Sequence, residues 1–196
     1  MEITHQISAR NFELIRDRIG EILTTELAGQ TYITTIGGIT VWSERKIPFT
    51  PSELPAINVS YDNSAFDNKN VSFKRGENRY FIDIHAAEPS TDAAKGDILA
   101  SKKVQKIAGI IDYILEFPFY QTLGFEAGFI GNLMIETINL SDMQKEDAEH
   151  NLACRLQFKV IAGENTAQLQ PTNAEGYTTQ VKLSTTEYGH KYILNN

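Results

Sequence analysis

The stretch that decides the fold is HNLACRLQFKVI, residues 150–161. Apolar residues occupy every second position of it, and most positions between them are polar or charged: the apolar series is Leu152, Cys154, Leu156, Phe158 and Val160. Successive side chains of a β-strand point to opposite faces of a sheet. The alternation therefore predicts a strand that is buried on one face only.

Further strands and two long helices are predicted elsewhere in the chain. Residues 80–87, YFIDIHAA, alternate in the same way, and residues 56–61 and 132–139 are predicted to add strands. Apolar residues recur at helical spacing in residues 12–27 and in residues 102–115. We therefore expect an α/β (α+β) fold, with a twisted, mainly antiparallel or mixed β-sheet, two main helices packed against it, and a C-terminal arm.

Three shorter segments connect these elements. The β-branched residues on either side of the Gly-Gly pair at 37–38 predict a hairpin or bulged strand pair, formed by residues 31–35 and 40–44. Residues 62–69 are predicted to form a polar loop, and residues 72–79, SFKRGENR, a charged turn.

Three prolines, Pro48, Pro51 and Pro55, precede the predicted strand at residues 56–61. Such a segment either presents catalytic groups on a loop or guides an edge strand into the sheet. Because proline has no N–H to donate to a sheet ladder, residues 47–53 are expected to cross outside the sheet. We favour the second interpretation, in which the prolines position a strand.

Composition limits the classes of function. The 196 residues predict one domain at residues 1–163, followed by a C-terminal extension at 164–196 where the sequence becomes rich in Gln, Asn and Thr. A net charge of -7 disfavours general binding to a phosphate backbone. Neither a signal-peptide pattern nor an apolar window long enough for a bilayer is found, so we expect synthesis in the cytoplasm and no membrane contact.

Each candidate for catalysis has a simpler explanation. Asp83 and His85 share one face of a predicted strand, but no third metal ligand is identifiable. Cys154 is the only cysteine and lies on the apolar face of its strand, about 13 Å along the strand from His150, which is too far for an activated thiolate. No phosphate-binding glycine motif occurs. We expect no catalytic, cofactor or metal site, and keep a small cytosolic hydrolase or metal enzyme as the less favoured alternative.

The order of elements and several short phrases resemble a known family. The phrases are RDRIGEIL, VWSERKIPFTPSELPAINVS, YFIDIHAAEPSTDAAKGDILASKKVQKIAGIIDYILEFPFYQTLG and LQFKVIAGEN. Taken together, residues 11–164 resemble the tail terminator proteins of long-tailed bacteriophages, the family that includes the lambda tail terminator. The long polar segment after Glu164 and the loop at 62–78 depart from a minimal member of that family.

The resemblance implies a structural virion protein of the phage neck. A small α/β domain would assemble into a homohexameric ring, cap the head-proximal end of the tail tube and stop tube polymerisation. Its partners would be the tail tube protein and a head-completion or connector protein, for which the ring provides the docking surface. DNA would pass through the lumen without sequence-specific binding. Alternatives are a head-completion protein or the cap of a contractile tail or injection device.

Under this hypothesis the contacts with subunits and partners lie on the sheet edges, the loop at 62–78, the aromatic turn at 117–125 and the C-terminal arm. The candidate interface residues are Phe73, Lys74, Arg75, Phe119, Tyr120, Phe125, Tyr188 and Tyr192.

Overall fold

The computed structural model describes residues 9–67, 74–91, 95–142 and 151–164. Its helices are α1 (Asn11–Ala28), α2 (Thr31–Thr35) and α3 (Gly96–Glu116), and its strands are β1 (Thr40–Ser43), β2 (Ala56–Asp67), β3 (Lys74–Ala87), β4 (Ile130–Asp142) and β5 (Asn151–Glu164). Short 3-10 turns occupy Pro51–Glu53 and Pro118–Tyr120. The predicted C-terminal arm lies outside the described residues, apart from Glu164 at the end of β5.

The strands form one five-stranded sheet in the order β1-β2-β3-β5-β4. β1 is parallel to β2, and the other three neighbouring pairs are antiparallel. α3 connects β3 to β4, and β5 then returns between those two strands. The predicted mixed sheet with two main helices, an α+β fold, is confirmed. We call the end of the sheet that holds Asp67, Lys74, Ile130 and Glu164 its lower end.

One face of the sheet carries the core. Directly paired residues of β3 and β5 supply its centre, and all of them are buried: Ile84 with Cys154, Ile82 with Leu156, and Tyr80 with Phe158. The phenol of Tyr80 donates a hydrogen bond of 3.1 Å to the backbone oxygen of Phe12 in α1. α1 and α3 cover this face, and the opposite face, which we call the open face, carries the polar positions of the same strands.

The helix pattern also predicted the core correctly. In α3, the residues expected on the inner side are all buried: Val104, Ile107, Ala108, Ile111, Ile114 and Leu115. In α1, Ile15, Ile19, Ile22 and Leu27 are buried in the same way. A helix turns once in 3.6 residues, so these spacings place the side chains in one stripe against the sheet.

The predicted hairpin at residues 31–44 is wrong. Residues 31–35 form α2, in which the hydroxyls of Thr34 and Thr35 donate hydrogen bonds to backbone oxygens four residues earlier. Gly37 and Gly38 have φ values of 89° and 92°, which end this helix, rather than joining two strands. β1 then pairs with β2 in parallel, so Thr40–Ser43 is a strand as predicted, but with a different neighbour.

The predicted loop at 62–69 and turn at 72–79 are also largely wrong. β2 continues to Asp67 and β3 begins at Lys74, so most of these polar residues extend a long antiparallel pair. Residues this polar suit a sheet face in contact with water, and their pairing comes from backbone hydrogen bonds. The register shifts between Tyr61 and Asn63, where one residue of β2 is left without a counterpart.

Candidate functional site

β4, 13 residues long, is the last strand at one edge of the sheet that the described residues form. β5 pairs with one side of it, and no described strand pairs with the other side. The strand contains neither lysine nor proline, which are the residues that commonly protect an edge against pairing. Its register with β5 shifts after Ile130 and after Ile135, leaving a regular segment between the two bulges.

Large apolar side chains are exposed on this edge. Met134 is 42% exposed, Ile138 49% and Leu140 45%. Met134 lies in register with Lys159 on the open face, while Ile138 and Leu140 lie in register with the buried Leu156 and Cys154 on the other face. Both faces of β4 therefore offer apolar surface next to backbone groups that no described strand pairs with.

The opposite edge of the sheet is only half covered. β1 pairs with residues 56–59 of β2, and the backbone N–H of Tyr61 donates a 2.6 Å hydrogen bond to the carboxylate of Glu44. Residues 62–67 continue beyond this point without a described neighbour on their outer side. The sheet thus has one open edge along β4 and a second along residues 62–67, which we call the free half of β2.

Arg45 holds the segment that carries the three prolines, which joins β1 to β2. Its guanidinium makes two hydrogen bonds to the carboxylate of Glu53, at 2.8 and 2.9 Å, and lies 4.5 Å from the ring centre of Phe49. Its backbone N–H and C=O bond to the side-chain amide of Asn58, at 2.9 and 3.2 Å. Hydrogen bonds from the Thr50 backbone and from Arg45 lower the pKa of Glu53 to about 2. The crossing is thereby fixed outside the sheet.

A cleft of about 270 Å³ lies between this crossing and the open face. Its lining is mainly apolar and includes Pro48, Phe49, Leu54, Ala86 and Leu152. The ring of His85 lies 5.0 Å from that of Phe49, and burial lowers the pKa of this imidazole. Asp83 also lines the cleft, but both of its carboxylate oxygens accept hydrogen bonds from Arg155, at 2.6 and 2.8 Å.

The structure brings Asp83 and His85 to one face, as the alternation predicted, but it separates them from Cys154. Cys154 pairs with Ile84 on the core face, and burial, followed by the charge of Asp83, raises the pKa of its thiol. A protonated thiol on the far side of the sheet cannot be activated by His85. Among the described residues no group of three His, Cys, Asp or Glu side chains could hold a metal ion, and His150 lies outside them.

Ion pairs occupy the middle of the open face. Glu136 of β4 accepts from Arg79 of β3 at 3.1 Å and pairs with Lys159 of β5 at 2.8 Å. Hydrogen bonding from Lys159 and then from Arg79 lowers the pKa of Glu136. The charges on this face are therefore arranged across three strands as pairs, together with the Asp83 and Arg155 pair above them.

The candidate interface residues of the aromatic turn divide into exposed and inward groups. Phe119 is 75% exposed. Tyr120 packs against the core and donates a hydrogen bond to the carboxylate of Glu26, which raises the pKa of the phenol. Phe125 also packs against the core and stacks on Phe129 with 4.6 Å between ring centres. Only Phe119 of the three presents most of its surface for a partner.

The remaining candidates lie at the lower end of the sheet or outside the described residues. Arg75 lies against Gly131, where a side chain at residue 131 would meet the guanidinium. Lys74 is the first residue of β3, and its side chain is not among those that the structure describes. Phe73, Tyr188 and Tyr192 also lie outside the described residues.

Sequence reasoning missed two groups of exposed apolar residues. One is the β4 edge. Its only local signal in the sequence was the unbroken apolar run from Leu133 to Ile135, in a strand whose two faces are not both covered. The other is the pair Tyr113 and Phe117, whose rings lie 6.0 Å apart at the end of α3. Their four-residue spacing placed them on one helix face, and only the fold shows that this face is exposed.

No protein-family model and no curated protein matches the chain. A solved chain from "Virion of native gene transfer agent (GTA) particle" is 13% identical, with a TM-score of 0.48 over 76% of this chain and 94% of that chain. A second solved chain is 15% identical, with a TM-score of 0.42 over the same shares. Both TM-scores lie below 0.5, so neither likeness assigns a fold or a function to this chain. No described helix is long and apolar enough to cross a bilayer.

Proposed function

We propose that this chain is a structural virion protein of a phage neck, a tail terminator that acts as a ring. In this proposal the ring caps the head-proximal end of the tail tube, stops tube polymerisation and offers a docking surface to head-completion or connector proteins. The sequence resemblance over residues 11–164 supports it, and a sheet with helices packed against it agrees with the small α/β domain that the resemblance implied.

The observation that carries the proposal is the open edge at β4. A 13-residue strand with exposed Met134, Ile138 and Leu140 and no lysine or proline invites association with another chain. A second open edge, the free half of β2, lies on the opposite side of the same sheet. Two different edges on opposite sides suit a head-to-tail contact, which closes into a ring when the rotation between copies allows it.

The charge on the open face suits passage of DNA. The helices cover the other face, so a ring with the helices outside would turn the open face towards the lumen. There Arg79 and Lys159 pair with Glu136, and Arg155 pairs with Asp83. Cations that are already paired with carboxylates bind phosphates less strongly than free ones, so DNA would slide past without being retained.

The exposed aromatic rings of Tyr113, Phe117 and Phe119 form a second surface, at the end of α3. Aromatic residues are enriched at protein interfaces, where they bury a large area at small cost in conformational entropy. In the proposed ring this surface would serve the docking of a tube or neck protein.

The experiment that tests the proposal is native mass spectrometry across a concentration series, with negative-stain images of any large species. Six copies of the 22.0 kDa chain would weigh about 132 kDa and would show a central hole. Purified tail tubes should bind this ring at one end and cease to grow. A chain that stays monomeric both alone and with tail tubes would contradict the proposal.

The proposal includes the absence of catalysis. Asp83 is engaged by Arg155, and Cys154 lies on the other face of the sheet, so neither is set up as a base or nucleophile with His85. A triple variant with Asp83→Asn, His85→Ala and Cys154→Ala should retain the mass distribution of the parent chain. If it remained folded and lost a measurable hydrolytic turnover of the parent, the hydrolase alternative would replace the present proposal.

A further inference from the structure

We infer that neighbouring copies in the ring are joined by antiparallel β-pairing between β4 of one copy and the free half of β2 of the next. This inference rests on the proposed function, and it names the surface and the partner, a second copy of this chain. Each contact would continue one sheet into the next, and closure of the ring would cover the free half of β2 and the lower part of β4 in every copy.

The strand directions allow this continuation. β2 is antiparallel to β3, β3 to β5, and β5 to β4, so β2 and β4 run in opposite directions. Copies related by rotation about an axis along the strands keep those directions. The β2 of one copy therefore meets the β4 of the next in antiparallel orientation, which preserves the alternation of the four long strands.

The two edges also lie at the same height in the sheet. Ala65 pairs with Glu77, Glu77 with Ile161, and Ile161 with Asn132, so Ala65 and Asn132 end one row of residues. In the same way Asn63 and Met134 end the row that passes through Arg79 and Lys159. The regular segment between the two bulges of β4, residues 132–135, is thus level with the free half of β2.

The side chains at this level are compatible. Residues 132–135 of β4, NLMI, carry no charge, and residues 63–66 of β2, NSAF, carry none either. Exposed apolar groups are present on both edges, since Phe66 is 45% and Met134 is 42% exposed. The nearest carboxylate on β4, Glu136, is already paired with Arg79 and Lys159. Pairing of residues 132–135 with residues 63–66 therefore brings no charged residue of either segment into the contact, and Asp62 lies just outside it.

The upper half of β2 is a poorer partner. β1 already occupies the outer side of residues 56–59, and the carboxylate of Glu44 accepts from the N–H of Tyr61. Only the free half of β2 presents backbone groups without a described neighbour. The contact is thereby restricted to the lower end of the sheet.

Disulfide trapping in the full-length chain tests the inference. The variants combine Asn63→Cys or Ala65→Cys with Asn132→Cys or Met134→Cys, which samples the level register and registers shifted by two residues. Within one copy each pair is separated by three strand spacings, about 14 Å or more, whereas a disulfide needs Cα atoms within about 7 Å. Any bond between these positions must therefore join two copies.

The expected result is a ladder of covalent multimers on a non-reducing gel, ending at six chains, for at least one combination. Each variant that carries only one of the introduced cysteines should run as a monomer on the gel, because the native Cys154 is buried. Asn132→Cys combined with Gln105→Cys, an exposed position on α3, is the matched control and should give no ladder.

The outcomes separate this inference from the proposed function. A six-fold ring by native mass with no ladder from any of the four combinations would overturn the β4 to β2 pairing and leave the terminator proposal standing. A ladder that continues beyond six chains would support the pairing and count against the closed ring. A chain that forms neither ring nor ladder, both alone and with tail tubes, would overturn both.

Discussion

At the scale of single residues, Arg45 shows how a charged side chain can shape a connection between strands. It contacts Trp42 and Phe49 through its guanidinium, bonds twice to Glu53, and fixes Asn58 through its backbone. The prolines restrict the crossing to extended and turn conformations, but these polar contacts decide where it lies. The predicted role of the prolines in guiding a strand is thus shared with a hydrogen-bond network.

Replacing Glu53 with Gln should lower stability in a pH-dependent way. The pKa of Glu53 is about 2 in the folded chain against an ordinary value of 4.5, so the folded state binds this proton less readily than the unfolded state. The stabilisation is fully present above pH 4.5 and is lost as the pH falls from there towards 2. Thermal unfolding at pH 6 and pH 3 should show a parent-to-variant difference that shrinks at the lower pH.

The control for Glu53→Gln is Glu116→Gln, which removes an exposed carboxylate with no ion pair among the described residues. Its difference from the parent should change little between the same two pH values. A Glu53→Gln difference that stayed constant, or grew, on acidification would show that the Arg45 and Glu53 contact does not stabilise the folded state.

At the scale of elements, the end of α2 depends on backbone conformation. Gly38 has φ of 92°, and its N–H donates a 2.9 Å bond to the backbone oxygen of Ile33. A Cβ at this residue would meet no atom, so the cost of Gly38→Ala comes from the left-handed backbone alone. We expect a loss of about 1 kcal/mol in the free energy of unfolding, measured with urea.

Gly109 provides the matched control for Gly38. It lies within α3, is exposed, and a Cβ there would also meet no atom. Because alanine has the higher helix propensity, Gly109→Ala should raise the free energy of unfolding by about 0.5 to 1 kcal/mol. Changes of opposite sign in the free energy of unfolding of the two variants would show that backbone strain, not side-chain packing, sets the cost at residue 38. A stabilising Gly38→Ala would contradict the left-handed backbone that ends α2.

The central strand β5 should be the most sensitive element. Phe158 is fully buried beside Tyr80, so Phe158→Ala should lower the free energy of unfolding by about 3 to 5 kcal/mol through lost burial and a cavity. Phe119→Ala removes the same ring from an exposed position and should change it by less than about 0.5 kcal/mol. Urea unfolding of both variants measures the contrast, and similar losses would argue against β5 as the centre of the core.

At the scale of the whole molecule, association should depend on the β4 edge. Met134→Lys places a charge within residues 132–135 of that edge, where it disfavours pairing with another chain. Met134 is 42% exposed, so the domain should remain folded by circular dichroism while the mass distribution shifts towards the monomer.

Ile98→Lys is the control for this change, because Ile98 is 47% exposed but lies on α3. It should leave the distribution across the concentration series unchanged. If both variants assembled like the parent, pairing through residues 132–135 of β4 would be contradicted.

The sequence by itself determined the parts of this protein that depend on local periodicity. Alternation at residues 152–160 and 80–86 reported burial on one face of a strand, and 3.6-residue spacing reported the inner sides of α1 and α3. The burial of each such side chain can be read from the spacing of apolar residues close to it in the sequence, and these predictions were confirmed. The polar ends of β2 and β3 were missed because backbone hydrogen bonds hold them and leave no apolar pattern.

Only the tertiary structure decided which strands are neighbours and which edges stay open. Strand order depends on pairing between residues far apart in the chain: Asn132 and Ala65 reach one row only through β3 and β5. The same holds for Asp83 and Cys154, close in the sheet yet on opposite faces. An exposed Ile138 and a buried Leu156 look alike in sequence, and the number of neighbouring strands decides which one is left for a partner.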